Sequence, residues 1–176
     1  MKFFSPNLIE RLGSADLAVA GAAHEEWEKV LERYERYLQA IEAELPEHIR
    51  AFNNLLLHDA MVWSIVRQGD QLIMVLRKDI PPREVVILTY FLTEEPVLEE
   101  EALPAGQRGP VMDFQYDEFE LLREQGHNLY AQSILFGNGW EIRLRFHDVR
   151  VSVASPVYPL PDTVLVPVAC ASARSA

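Results

Sequence analysis

The hydrophobic period of this chain changes near residue 57, and that change limits what it can fold into. From 24 to 44, with Leu45 just beyond, apolar side chains recur every three or four positions: Trp27, Val30, Leu31, Tyr34, Tyr37, Leu38, Ile41 and Leu45. This is one face of a helix. Glu25–Lys29 and Glu32–Arg36 stand in the favourable i, i+4 order on the opposite face. Pro46 ends the pattern. Upstream, Ser5-Pro6 predicts a short helix that buries Leu8, Ile9 and Leu12 and stops at Gly13, and Ser14 offers a second cap for residues 15–20.

Beyond residue 57 the period is two. Residues 59–68 and 71–77 predict a hairpin about Gly69-Asp70. Residues 85–93 are apolar on both faces, as in a central strand. After a long acidic loop, 128–136 and 140–146 predict a second hairpin about Gly137-Asn138-Gly139, and Val149, Val151 and Val153 a further strand. Residues 113–123 alternate as a strand through Phe114, Tyr116 and Glu118. The expected fold is therefore α+β: N-terminal helices, including one long amphipathic helix of about 24–44, packed on a mainly antiparallel sheet of about six strands. One domain would span 1–154, with a helical part (1–56) and a sheet part (57–154). Residues 155–176 form a proline-rich tail, with Pro156, Pro159, Pro161 and Pro167, and are a candidate contact with the body or, in a homodimer, with a second copy.

Charge and composition exclude several classes. With 27 acids against 16 bases, the formal charge is −11, and the basic footprint that nucleic acid requires is missing. One cysteine excludes a disulfide framework. No apolar run is long enough to span a membrane, and the opening residues lead into no secretory core, so the expected location is cytoplasmic. Residues 94–124 hold ten acids and two bases. That run suggests either a solvated loop or a surface for a basic protein partner.

The candidate polar sites are His58, Asp59, Glu118, His147 and Asp148. His-Asp occurs twice, in Leu57-His58-Asp59-Ala60 and Phe146-His147-Asp148-Val149. It resembles the metal-dependent phosphohydrolases named for that dipeptide, whose ligands converge from helices. Both pairs here lead into predicted strands, where neighbouring side chains point to opposite faces and chelate one ion poorly. The bland alternative has Asp59 and Asp148 accepting backbone N–H groups at strand starts. Glu118 is a candidate acid or base. No phosphate loop, nucleophile elbow or paired-histidine zinc pattern is present, and no cofactor or metal is expected.

Met1-Lys2-Phe3-Phe4-Ser5, Leu45-Pro46, Leu57-His58-Asp59-Ala60, Gly69-Asp70-Gln71-Leu72, Tyr116-Asp117-Glu118 and Arg145-Phe146-His147-Asp148 follow one another in the order of a bacterial family known as a domain of unknown function. The chain resembles that family from residue 1 to about 153. The resemblance implies a bacterial protein with helices first and a sheet after, and it supplies no activity or catalytic residue. Three functions are open at this point. The first is a non-enzymatic acidic interaction domain, of the partner-neutralising kind found in toxin immunity. The others are a metal-assisted hydrolase using the two His-Asp pairs, and a small-ligand-binding module lined by Trp63 and Trp140.

Overall fold

The computed structural model describes residues 1–78, 83–124 and 126–155. The tail from 156 lies outside the described residues, and with it the expectation that it contacts the body or a second copy. Helix α1 (Pro6–Leu12) begins where predicted, with Ser5 Oγ accepting the Leu8 N–H at 3.3 Å. Helix α2 (Leu17–Ile41) starts seven residues earlier than the apolar stripe suggests. Its cap is Asp16, whose Oδ1 accepts the Ala18 N–H at 2.8 Å; Ser14 serves Asp16 instead. The first turns carry exposed Leu17 and Val19 and no buried stripe until Ala23. Leu31, read as part of the buried face, is 40% exposed. A single 3₁₀ turn follows α2, and Pro46 starts rather than ends a helix: α3 (Glu47–Asn53) buries Ile49 and Phe52.

Seven strands follow: β1 (Met61–Gln68), β2 (Gln71–Arg77), β3 (Val85–Leu92), β4 (Val97–Glu99), β5 (Phe114–Glu124), β6 (His127–Phe136) and β7 (Glu141–Ala154). All pairings are antiparallel, in the order β1-β2-β3-β7-β6-β5, with β4 also on β7. β4 lies inside the stretch expected to be a loop, and 140–146 and 149–153 are one strand. The sheet curls until its outer strands touch: Met61 bridges Asp113, and Val62 N–H donates to Met112 O at 2.9 Å.

Alternation decides which side chains enter the core. Leu72, Met74 and Leu76 of β2 and Val86, Leu88 and Tyr90 of β3 face inward and are buried. Phe52 of α3 closes this side, its ring 5.8 Å from Tyr90, 6.3 Å from Phe119 and 6.2 Å from Phe146. A second core joins α1 and α2 to β5 and β6 through Phe4, Leu8, Val30, Tyr34 and Leu135. Thus the long helix packs along the β5 end of the sheet. Burying an apolar side chain of this size contributes about 1.5–3 kcal/mol. Among the described residues, no helix is long and apolar enough to cross a membrane.

Candidate functional site

The two His-Asp pairs occupy different kinds of backbone. His58 and Asp59 are the central residues of a turn closed by Ala60 N–H donating to Leu57 O at 2.9 Å. Asp59 has φ 64°, the left-handed value that the third residue of such a turn adopts and that Asp tolerates. Its carboxylate meets His58 Nδ1 at 3.0 Å, and both side chains are exposed. Asp59 therefore serves the turn through its backbone, and its carboxylate does not take the strand-start N–H expected of it. His147 sits at a bulge in β7, where Phe91 pairs with Asp148 and Leu92 with Phe146. This pair lies within a strand rather than at its start. Asp148 Oδ1 accepts the Val149 N–H at 2.9 Å, as expected, and also meets His48 Nε2 of α3 at 2.7 Å.

The fold keeps the pairs apart. Asp59 N–H donates to Phe114 O, Phe114 pairs with Phe136, and Leu135 pairs with Glu141. Asp148 lies seven residues along β7 from Glu141, roughly 23 Å at strand rise. One ion cannot be shared by both pairs. Among the described residues, no three His, Cys, Asp or Glu side chains are grouped to hold a metal. Trp63 lies beside the Arg77 guanidinium, which is 5.6 Å from its ring, and Trp140 packs on the main core.

Glu118 is a clamp for the first residues. Buried to 1% exposure, it accepts the N–H groups of Lys2 at 2.6 Å, Phe3 at 2.7 Å and Phe4 at 2.5 Å. Glu141, equally buried, holds the Met1 ammonium at 2.8 Å and Arg143 Nε at 2.7 Å. Next to Glu118, Asp117 accepts Gln132 Nε2 at 2.8 Å, and Gln132 Oε1 accepts the Tyr90 hydroxyl at 2.7 Å. Burial pushes the Asp117 carboxyl up to about 6, against the Gln132 hydrogen bond and with help from the neighbouring Glu118 charge.

These contacts change the meaning of the acidic run. Glu94 and Glu124 pair with Arg145, Glu95 with Arg67, Glu99 with Arg143, Glu101 with Arg108 and Glu120 with Lys2. With Asp117 and Glu118 engaged inside, eight of the ten acids have partners within the chain. The run is largely spent on holding loop, strands and N-terminal segment together.

What alternation leaves outside is the opposite face of β1, β2 and β3. In register across it, Val75 lies between Ser64 and Ile87, Ile73 between Val66 and Thr89, and Phe91 between Gln71 and Asp148. Val66 is 50% exposed, and Ile73, Val75, Val85, Ile87 and Phe91 are half-buried. None of these six belongs to either core. Arginines stand at the margins: Arg77 near Trp63, and Arg150 with its guanidinium 5.7 Å from the Phe91 ring. The signal for this face was in the sequence, since β2 and β3 are apolar at both parities.

No protein-family model matches the chain, and no curated protein matches it.

Proposed function

We propose that this chain is a non-enzymatic protein-interaction domain that meets its partner through the outer face of β1, β2 and β3. One observation carries the reading: six apolar side chains stand together on a regular sheet face while taking no part in either core. A contiguous apolar face outside the core, half-exposed at Val66 and partly exposed at the other five positions, favours protein–protein contact. The flanking arginines suit such a contact, since arginine and aromatic residues are enriched in interfaces. The internal pairing of the acidic run favours this face over the loop as the main contact, and leaves the net charge of −11 to favour a basic partner at long range. The setting that goes with this reading is bacterial, on the strength of the family resemblance, and cytoplasmic, on the sequence's lack of an apolar spanning run or secretory core.

Site-specific photo-cross-linking in the native cells tests the reading. A photo-reactive residue at Ile73 or Ile87 should give one discrete adduct, whose mass distinguishes a second copy from a different protein. The same residue at exposed Leu31 should not give that adduct. A smear at all three positions, or no adduct from the face, would contradict it.

A further inference from the structure

A different part of the sheet is left incomplete. β6 pairs with β7 only as far as Tyr130 opposite Phe146. Beyond that point β7 continues to Ala154 beside β3, while β6 stays with β5 down to His127 opposite Glu124. The sheet therefore divides, and the edge of β7 that β6 relinquishes runs past α3.

The direction of the backbone groups on that edge follows from the bulge. Thr93 N–H donates to Arg145 O at 2.9 Å, so Arg145 faces the β3 side. Strand residues alternate, but the extra residue at His147 shifts the alternation by one. After it, Arg150 and Ser152 face β3, and Val149, Val151 and Val153 face the open side. The Val149 N–H confirms the direction, because it is taken by Asp148 Oδ1 at 2.9 Å rather than by the ladder. Among the described residues, no strand pairs with this edge beyond Phe146. From Val149 to Val153 it runs for roughly 13 Å at strand rise.

Facing the edge is a cleft of about 420 Å³, lined from α3 by His48 and Ala51, from just past α3 by Leu55, and from β7 by Asp148–Val151. That volume lies within the usual range for ligand sites. His48 and Ala51 are three apart on one helix face, so α3 presents one wall and the strand edge the other. The His48–Asp148 contact closes one end.

We propose that this groove receives an extended segment of another polypeptide, which adds to β7 as a strand. Among the described residues, the Val151 and Val153 N–H groups on this edge have no backbone partner, and this two-residue spacing is matched by an extended backbone and poorly by a compact small molecule. A helix wall beside a strand edge is the geometry of strand-addition sites, where the ladder supplies affinity and the wall selects side chains. Ala51 and Leu55 select small or apolar residues at alternate positions. This site is separate from the outer face of β1–β3 and does not depend on it.

The test combines amide exchange of the purified full chain with panning of a random twelve-residue peptide library. In the free protein, the Val151 and Val153 amides should exchange fast and those of Arg150 and Ser152 slowly. Library peptides should enrich on the wild type and slow exchange at Val151 and Val153. Val151→Pro removes only an outward N–H and is tolerated on an edge; Ala51→Trp fills the groove from α3 and leaves the residues of the strand unchanged. Each should weaken the selected peptides by about tenfold or more, the scale of one to two hydrogen bonds. Val151 and Val153 amides already protected in the free chain, no enriched peptide, or peptides indifferent to both substitutions would overturn the proposal.

Discussion

Glu141 Oε1 lies 2.8 Å from the Met1 ammonium nitrogen, with the carboxylate 1% exposed and Met1 partly buried against the second core. Glu118, two strands away across β6, takes the next three N–H groups. Two carboxylates on the sheet thus fix the first four residues, and Phe4 then packs against Trp27 at 4.7 Å and Tyr34 at 5.3 Å. The N-terminal segment acts as a strap between α2 and the sheet.

Breaking this strap should cost stability at either carboxylate. Glu118→Ala leaves three N–H groups without their acceptor and should cost about 3–5 kcal/mol, whereas Glu118→Gln keeps one acceptor oxygen and should cost less, about 2 kcal/mol. Glu141→Gln keeps one acceptor oxygen but removes the charge that holds the Met1 ammonium and Arg143 Nε, and should cost about 1–3 kcal/mol. Urea unfolding at pH 7 measures all three. Values below about 0.5 kcal/mol would show that the segment is not held.

Asp117 predicts a pH dependence of definite sign. Its folded carboxyl titrates near 6, above the ordinary 3.8. The folded chain therefore binds this proton more tightly than the unfolded chain does. The stability it contributes is fully present below about pH 3.8 and is lost as pH rises through 6, by about 2–3 kcal/mol in all. Asp117→Asn retains an acceptor for Gln132 and carries no charge. It should be more stable than the wild type at pH 7.5 by about 2 kcal/mol and should equal it near pH 4. Denaturation at the two pH values reads the difference directly; the same difference between variant and wild type at both would refute the assignment.

The edge of β5 is guarded by two tyrosines. Tyr34 Oη accepts the Phe119 N–H at 2.6 Å and Tyr37 Oη the Leu121 N–H at 2.8 Å, so α2 satisfies backbone groups that an edge strand otherwise exposes. Burial pushes the Tyr34 phenol upward, which keeps this acceptor neutral. Tyr34→Phe should cost about 2 kcal/mol and Tyr37→Phe about 1 kcal/mol, each with faster amide exchange at its own partner. Unchanged exchange at Phe119 in Tyr34→Phe would contradict the capping role.

How far the sequence could be read depended on how far apart the partners lie. The strands were visible because alternation is local: 71–77 matches β2 residue for residue, and Gly69 and Gly139 take the positive φ that their turns need. Residues 15–20 were read as a separately capped stretch, and their continuity with 24–44 was missed because residues 17–22 carry no buried apolar stripe. α3 was missed because seven residues with two buried side chains show too little period, and Pro46 reads equally well as a stop or a start. The bulge had a trace, since three residues separate inward Phe146 from inward Val149 where strict alternation needs two or four. Glu118 was selected by its residue type, but its role depends on residues 114–116 positions away. His48 was not singled out, because its partner Asp148 is 100 residues distant.

Oxidative footprinting by hydroxyl radicals, on the purified protein and in its native cells, tests the central claim most directly. The account predicts that Val66, Ile73 and Phe91 are oxidised in the isolated chain and protected in cells, while Leu17, 86% exposed, and Leu31 are oxidised equally in both. Equal oxidation of the outer-face residues in cells and in isolation would contradict the claim that this face exists to bind another protein.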